Sequence, residues 1–208
     1  GKDSGQNVFM LTSFNPGSGK SFLAMNIAMS FAIKKKRILV IDGDLRHGST
    51  SSYVDSPKTG LSDYLGNRVS DWKEIIVKDE KYDNLHIIPI GTVPPNPTEL
   101  LEDGKLATLI EVLRSEYDYI FIDCPPIDIV ADAQIIEKLA DRTVFVVRSG
   151  LLDRSMLPEL ENIYQEKRFK NLSVILNGTE SAGGRYGYRY GYRNGYSSYY
   201  GNKGKMGG

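Results

Sequence analysis

The 208-residue sequence predicts an α/β fold in which helices cover both faces of a mostly parallel, doubly wound central sheet. One observation behind this prediction is that strand-like apolar runs alternate with stretches of helical periodicity from Val8 to Asn177. Another is that several runs are apolar at every position, which is typical of parallel strands buried on both faces. Right-handed crossovers should therefore join successive strands, with the helices forming the two outer layers.

The predicted elements follow one another in a regular order along the chain. The strands are predicted over Val8–Ser13, Arg37–Asp42, Leu85–Pro89, Tyr119–Asp123, Thr143–Arg148 and Ser173–Asn177. Longer helices are predicted over Lys20–Lys34, Gly104–Tyr117, Ala131–Ala140 and Ser155–Arg168, and shorter ones near Leu61–Leu65 and Asp71–Val77.

The first strand runs into a glycine-rich turn, Phe14–Ser21, which is followed by the first predicted helix. Gly17 and Gly19 allow backbone N–H groups to close around phosphate oxygens, and a helix beginning near Lys20 points the positive end of its dipole at them. Lys20 adds a full positive charge, and the hydroxyl of Ser21 is placed to bind a magnesium ion. The turn is therefore predicted to hold a nucleoside triphosphate.

This turn matches the Walker A pattern in its last half and departs from it at the start, where Phe14 replaces the first glycine. The strand before the turn and the helical spacing after it supply the context that the motif requires. Together with the sheet, the motif predicts a three-layer P-loop NTPase fold. The predicted nucleotide-binding residues are Pro16, Gly17, Ser18, Gly19, Lys20, Ser21 and Phe22.

Acidic residues end two further predicted strands. Asp42 and Asp44 come at and just after the end of one strand, and Asp123 ends another. In open parallel sheets, ligands lie outside the carboxyl ends of the strands, where the phosphate-binding turn also lies. Carboxylates and phosphates repel one another unless a cation is present, and Mg²⁺ bridges carboxylates to the β- and γ-phosphates. Asp123 is predicted to hold that ion through water, in the Walker B manner.

Composition restricts the classes of partner. Lys and Arg number 26 and Asp and Glu number 26, so the net charge of zero indicates no particular polyanionic partner. The single cysteine, Cys124, cannot form an internal disulfide, which fits a reducing compartment. The two histidines, His47 and His86, show no metal-ligand spacing and are interpreted as structural or surface residues.

The ends of the chain also carry information. No apolar run approaches the roughly 20 residues needed to span a bilayer, and residues 1–7 lack the apolar region of a signal peptide. We therefore expect a soluble chain of cytosolic type. Because it begins so shortly before a core strand, the sequence also looks like a piece of something longer.

A proline-rich segment, Gly91–Leu101, precedes one of the longer predicted helices. Its prolines indicate a rigid loop, and it should run into a short helix capped by Thr98. From its composition alone the segment is interpreted as a surface connection.

The alternation of strands and helices stops at Thr179. The segment Gly183–Gly201 contains no Leu, Ile, Val or Phe, so it can bury little apolar surface and is predicted to be disordered. We predict a folded domain over residues 1–178 and a disordered tail rich in Tyr, Gly and Arg over residues 179–208. The only acidic residue after Gly178 is Glu180, whereas the basic residues are Arg185, Arg189, Arg193, Lys203 and Lys205.

Taken together, these motifs resemble those of the bacterial tyrosine kinases (BY-kinases), the cytoplasmic kinase domains of capsule and exopolysaccharide assembly systems. The resemblance covers nearly the whole chain, and the motifs occur in the order of the family. It rests on Ser13–Ser21, Ile41–Arg46, Phe121–Pro126, Pro94–Leu101 and the tyrosine-rich tail.

The resemblance implies an ATP-dependent protein-tyrosine kinase that uses Mg²⁺. It implies that Asp42 lies near the attacking hydroxyl as its base, with Lys20 and Asp44 as further catalytic residues. It also implies that Ser21, Asp44 and Asp123 organise the magnesium ion. Since a tyrosine hydroxyl has a pKa of about 10, a carboxylate that accepts or orients its proton is chemically useful.

The tail is implied to be the substrate, phosphorylated in the active site of a neighbouring copy. Other implied partners are a membrane-spanning activator, fused or separate, which would keep the kinase at the inner face of the cell membrane; no nucleic acid is expected. The predicted acceptors are Tyr186, Tyr188, Tyr190, Tyr192, Tyr196, Tyr199 and Tyr200. The family's E-x-x-R-x-x-R motif before the first strand has no match here, so no oligomeric state is predicted.

Two alternatives remain open at this point. A partition or division-site ATPase shares the P-loop, but such enzymes usually carry a second lysine at the position of Asn15 and often end in an amphipathic helix, which Gly183–Gly208 cannot form. A nucleic-acid-binding module could use a basic aromatic tail to stack on single strands. Phosphotyrosine in the tail separates the kinase from both.

Overall fold

The computed structural model describes residues 5–127 and 131–179. Seven strands form one sheet in the order β3-β4-β2-β5-β1-β6-β7. Neighbouring strands are parallel except that the outermost strand, β3, is antiparallel to β4. The strands are β1 (Val8–Thr12), β2 (Ile38–Asp42), β3 (Val77–Lys78), β4 (Leu85–Ile88), β5 (Tyr119–Asp123), β6 (Arg142–Arg148) and β7 (Ser173–Asn177).

The predicted mostly parallel sheet is confirmed, and each predicted strand agrees with the observed one to within one residue at either end. One observed strand, β3, was not predicted, because two residues are too few to show a period. The prediction placed a helix over Asp71–Val77; the structure instead has a 3-10 turn over Trp72–Ile75, and Val77 begins β3.

The helices lie on both faces of the sheet. They are α1 (Lys20–Ile33), α2 (Leu61–Leu65), α3 (Pro97–Glu102), α4 (Lys105–Glu116), α5 (Asp132–Glu137) and α6 (Leu157–Gln165). The last two are shorter than predicted, and a 3-10 turn over Arg154–Met156 precedes α6. Within the described residues, no helix is long and apolar enough to cross a membrane.

Helix α1 packs closely against one face of the sheet because small residues recur on its inner side. Ala24, Ala28 and Ala32 are all buried and are four residues apart, so they share one side of the helix. They pack with Leu11 of β1 and Phe121 of β5 in one apolar cluster. The opposite face of the sheet is covered by α4 and α5 in a second, larger cluster.

The strand order places the ends of three strands beside one another. β5 lies between β2 and β1, and Asp42 of β2 is in register with Asp123 of β5. β1 is the strand that leads into the glycine-rich turn. The acidic residues and the phosphate-binding turn therefore share one edge of the sheet, as predicted.

The proline-rich loop ends differently from the prediction. The N-cap of α3 is Asn96 and Pro97 occupies the first turn, so Thr98 lies inside the helix and does not cap it. The prediction of Thr98 as the cap was wrong because proline is itself favourable in the first helical turn and moves the start of the helix towards the N-terminus.

Candidate active site

The turn between β1 and α1 has the backbone that a phosphate cradle needs. Gly17 and Gly19 have φ angles of 73° and 92°, in the left-handed region that favours glycine. Gly19 is also the N-cap of α1, so the first N–H groups of the helix lie at the turn. The sequence prediction relied on these same two glycines.

Phe14, which replaces the first Walker A glycine, has a structural role. Its ring is buried and packs edge-on against Phe145 of β6, with 4.9 Å between ring centroids. The carbonyl of Asn15 then accepts hydrogen bonds from the hydroxyls of Ser13 (2.7 Å) and Ser18 (2.8 Å). Aromatic packing and these two hydrogen bonds therefore hold the start of the turn.

Lys20 is buried, and its Nζ donates a hydrogen bond to the hydroxyl of Ser13 at 3.1 Å. Burial lowers the pKa of Lys20, while the negative charges of Asp123 and Asp44 act in the opposite direction. This lysine therefore faces the acidic strand ends, and its charge is available to a phosphate in the turn.

Asp42 is fully buried at the end of β2, and only one of its oxygens is paired. Oδ2 accepts hydrogen bonds from the backbone N–H and the hydroxyl of Ser51, both at 2.7 Å. Oδ1 has no hydrogen-bond partner among the described residues. The pKa of Asp42 is raised to about 7, chiefly by burial and also by the nearby charge of Asp123, and the hydrogen bonds from Ser51 oppose this shift.

Asp123 shows the same pattern at the end of β5. Its Oδ2 accepts a hydrogen bond from the hydroxyl of Thr50 at 2.7 Å, and its Oδ1 is a buried atom without a hydrogen-bond partner in the described part of the chain. Burial raises the pKa of Asp123, and the hydroxyls of Ser21 and Thr50 oppose that shift. Two neighbouring carboxylates at this end of the sheet therefore each keep one buried oxygen without a hydrogen-bond partner among the described residues.

Asp44 lies in the loop after β2 and is nearly buried. Its Oδ1 accepts hydrogen bonds from the backbone N–H groups of Arg46 (3.2 Å) and His47 (3.3 Å). The ring of His47 also lies 3.3 Å from this carboxylate but is 70% exposed. Asp44 therefore shapes its own loop, and His47 is the surface residue that the sequence suggested.

Two side chains that sequence reasoning missed hold the phosphate-binding turn. Arg148, at the end of β6, donates to the carbonyl of Gly17 at 2.7 Å, and Asn177, at the end of β7, donates to the carbonyl of Ser18 at 2.9 Å. A Cβ at Gly19 would overlap the amide nitrogen of Asn177. Both residues end parallel strands, so the rule that identified Asp42 and Asp123 could also have found them.

A further network joins the loop after β2 to the proline-rich loop. Arg46 lies 3.2 Å from the buried carboxylate of Asp132 in α5 and donates to the hydroxyl of Thr98 at 3.1 Å. Thr98 in turn donates to Asp132 at 2.6 Å. The proline-rich segment is therefore tied to the site, which its composition alone did not indicate.

The remaining predicted residues lie as follows. Pro16 and Phe22 are exposed, and Ser18 is buried. Ser21 is half-buried in the first turn of α1. The predicted acceptor tyrosines, Tyr186, Tyr188, Tyr190, Tyr192, Tyr196, Tyr199 and Tyr200, lie outside the described residues.

Similarity to known proteins identifies the family. A family profile described as an AAA domain matches residues 7–149. Tyrosine-protein kinase CpsD of Streptococcus pneumoniae is 35% identical over 200 residues, which cover 95% of this chain and 84% of that protein. The chain belongs to the bacterial tyrosine kinases. It is therefore a protein-tyrosine kinase, as the motifs implied.

Solved structures agree with this assignment. The kinase domain of Escherichia coli tyrosine kinase ETK has a TM-score of 0.79 and 31% identity, with 90% of this chain and 74% of that one covered. The BceF tyrosine kinase domain has a TM-score of 0.75 and 35% identity, with 86% of this chain and 71% of that one covered. The division protein MinD of Pyrococcus horikoshii shares the fold at a TM-score of 0.67 and 22% identity, covering 82% of this chain and 70% of that one.

The length of the relatives varies. AmsA of Erwinia amylovora is 35% identical over 193 residues, which cover 89% of this kinase and only 26% of AmsA. This chain thus corresponds to most of a protein such as CpsD and to about a quarter of one such as AmsA.

Proposed function

We propose that this kinase transfers the γ-phosphoryl group of Mg-ATP to tyrosines of the C-terminal tail of a neighbouring copy, within a capsule or exopolysaccharide assembly system. The observation that carries this proposal is the pair of open carboxylate oxygens on Asp42 and Asp123, next to a phosphate-binding turn. Buried polar atoms without partners cost free energy, so their presence at a strand edge indicates that a ligand completes them.

The residues at this edge fit a magnesium nucleotide. The turn supplies backbone N–H groups and the charge of Lys20 for the phosphates, and oxygen is the ligand type that Mg²⁺ prefers. We assign the ion to Ser21, Asp44 and Asp123, and the phosphates to Pro16–Phe22. When bound, the ion would neutralise part of the charge that develops on the phosphates.

Asp42 is proposed as the residue that accepts or orients the proton of the attacking tyrosine hydroxyl. Its buried Oδ1 is the oxygen proposed for that contact, because Ser51 occupies only Oδ2 and Oδ1 has no hydrogen-bond partner among the described residues. A raised pKa of about 7 makes this carboxylate a stronger proton acceptor than an ordinary Asp. Because the transition state of phosphoryl transfer is loose, positioning and charge should still supply most of the rate enhancement.

The tail is proposed as the acceptor because glycines are interspersed among its tyrosines, and glycine favours an adaptable chain. β7 ends at Asn177 beside the phosphate-binding turn, and Tyr186 is nine residues further on, within about 30 Å of extended chain. The chain length therefore does not exclude transfer within one chain, so an experiment must separate that route from transfer between copies.

Phosphorylation would change the charge of the tail. Each phosphate adds about −1.5 to −2 charges at neutral pH, so several would outweigh Arg185, Arg189 and Arg193. We propose that this reversal weakens contacts with neighbouring copies and with a membrane-spanning activator, fused or separate, at the inner face of the membrane. No nucleic acid takes part in this proposal.

A mixing experiment tests the proposal. The acceptor is the full chain carrying Lys20→Met, and the donor is a wild-type chain ending at Gly178, which retains every described strand and helix. Incubation with Mg-ATP should place phosphate on the tail tyrosines of the Lys20→Met chain, as mapped by mass spectrometry. The matched control is the same donor carrying Lys20→Met, which should give no label.

Two results would contradict parts of the proposal. If the full-length wild type labels its own tail but the mixed acceptor stays unlabelled at equal concentration, transfer occurs within one chain. If the wild type hydrolyses ATP without forming phosphotyrosine even at high protein concentration, the function is that of a partition-type ATPase.

A further inference from the structure

Two consecutive hydroxyl residues, Thr50 and Ser51, contact the two strand-end carboxylates. Thr50 donates to Asp123 and Ser51 donates to Asp42. Both hydroxyl residues are buried, with exposed fractions of 0% and 2%. The chain leaves the site at Asp42, turns through the following loop, and returns so that neighbouring residues reach the ends of two different strands.

The hydroxyl proton of Ser51 has one possible direction. Its Oγ accepts the backbone N–H of Ile90 at 2.8 Å, so its single proton is directed at Asp42 Oδ2. The backbone N–H of Ser51 donates to the same oxygen. Three hydrogen bonds therefore fix Ser51 against β2 and against Ile90, the second residue after β4.

These contacts select which carboxylate oxygen is left without a hydrogen-bond partner. The terminal torsion of an aspartate is broad and nearly two-fold, so an unrestrained carboxylate exchanges its two oxygens readily. Here Oδ2 of Asp42 and Oδ2 of Asp123 are each occupied, and both Oδ1 atoms lack hydrogen-bond partners in the described part of the chain. The selection is the same on both strands.

We infer that Thr50 and Ser51 are positioning residues for phosphoryl transfer, which hold Asp123 and Asp42 by one oxygen each and leave the other oxygen to the reaction. This inference rests on the proposed function of the site. Neither hydroxyl residue touches a reacting atom; both act through the carboxylates. Loss of hydrogen bonds of this supporting kind typically lowers activity by about 10- to 100-fold.

The test compares variants that remove each hydroxyl with variants that keep it. Thr50→Val and Ser51→Ala remove the donors, whereas Thr50→Ser and Ser51→Thr retain them. The matched control is Ser52→Ala, because Ser52 lies in the same 3-10 turn and its exposed hydroxyl donates to the carbonyl of Ser49 and not to a carboxylate. Each variant serves as donor in the mixing experiment with the Lys20→Met acceptor.

We expect Ser51→Ala to lower kcat by about 10-fold or more while the KM for ATP changes by less than about threefold. Thr50→Val acts through Asp123, the proposed magnesium ligand, and should lower kcat by about 10-fold or more. Thr50→Ser and Ser52→Ala should remain within about threefold of wild type in both constants. A thermal unfolding scan of each protein checks that the variants stay folded at the assay temperature.

Several outcomes would overturn the inference. Unchanged kcat in the hydroxyl-deleting variants would do so, and so would an equal loss of kcat and of ATP affinity in Ser51→Ala, which would mean a binding or purely structural role for Ser51. If Ser51→Ala does not fold, the pair Thr50→Val and Thr50→Ser decides. If the wild type labels no tyrosine, the proposed function fails by itself, and the same comparison is then made on the rate of ATP hydrolysis.

Discussion

The carboxyl and amino ends of the strands treat their carboxylates in opposite ways. At the carboxyl edge, Asp42 and Asp123 each keep one buried oxygen without a hydrogen-bond partner in the described residues, and burial raises the pKa of both. Near the amino end of β1, Asp141 accepts bidentate hydrogen bonds from Arg114 at 2.6 and 3.1 Å and one from the backbone N–H of Val8 at 2.9 Å. One end of the sheet leaves a carboxyl oxygen of each Asp without a partner, and the other end pairs both oxygens of Asp141.

The paired carboxylate contributes to stability, whereas the two partly unpaired ones belong to the candidate active site. Although burial by itself raises the pKa of Asp141, the hydrogen bonds from Arg114 and Val8 outweigh it and bring the pKa below its ordinary value. Its ionised form therefore stabilises the fold. The carboxylates at the other edge are costly in the nucleotide-free protein, and we expect a bound cation to offset that cost.

The largest expected effect comes from removing the positive charge of Lys20 at the carboxyl end of the sheet. Lys20→Met should reduce tail phosphorylation by about a thousandfold or more, because the charge that faces the phosphates is lost. The protein should still unfold cooperatively, since methionine has a similar length and burial already disfavours the charged lysine. The measurement is phosphotyrosine formation together with a thermal scan, and the exposed Lys34→Met serves as control. A labelled tail in the Lys20→Met protein would refute the role of this lysine.

The next largest effect is expected for Asp42, at the same end of the sheet, where one substitution should change activity and stability in opposite directions. Asp42→Asn should lower transfer by about 100-fold or more, with a smaller effect on ATP binding, because the proposed proton acceptor is lost. In magnesium- and nucleotide-free buffer at pH 8, the same variant should be more stable than wild type, by up to about 4 kcal/mol, given a pKa raised to about 7.

The pH dependence of that gain has a defined sign. Between about pH 4 and pH 7 the folded protein keeps a proton on Asp42 that the unfolded chain releases, so wild-type stability falls as pH rises through this window. Asn has no such proton, and the advantage of the variant should vanish near pH 4. Denaturant titrations at several pH values measure it. Equal losses of transfer and of ATP affinity would instead indicate a metal-binding or structural role for Asp42.

The smallest effect belongs to the opposite edge. Asp141→Asn should lower the free energy of unfolding by about 1–2 kcal/mol, because charge-assisted bonds to Arg114 become neutral ones. The specific activity of the folded fraction should not change. Glu111→Gln is the control, since Glu111 contacts the same Arg114 but its side chain is 74% exposed.

The lowered pKa of Asp141 also predicts how the free energy of unfolding changes in acid. Its contribution is fully present above the unfolded pKa of about 4 and is lost as pH falls through the lower folded pKa. Wild type should therefore lose stability below about pH 4 more steeply than Asp141→Asn. Parallel stability curves for the two proteins in acid would show that the pairing with Arg114 contributes nothing.

Much of the fold and part of the site could be predicted without coordinates. Continuous apolar runs placed the six longer strands to within one residue, and the rule that parallel strands share a carboxyl edge brought Asp42 and Asp123 to the phosphate-binding turn. The prediction missed Thr50, whose partner Asp123 is 73 positions away along the chain. It also gave Thr98 the role of a cap, whereas Thr98 contacts Arg46 and Asp132.

By itself, the sequence determined the properties that are local to a few residues. These are the strand and helix periods, the left-handed glycines of the turn, the lysine that follows them, and the strand-end acids. Tertiary structure decided the rest, because burial and hydrogen-bond partners depend on segments far apart in the chain. By placing β5 between β1 and β2, the fold made Asp42 and Asp123 neighbours and buried both. It also brought Thr50 and Ser51 to the Oδ2 atoms of these carboxylates, so that each Oδ1 has no hydrogen-bond partner among the described residues.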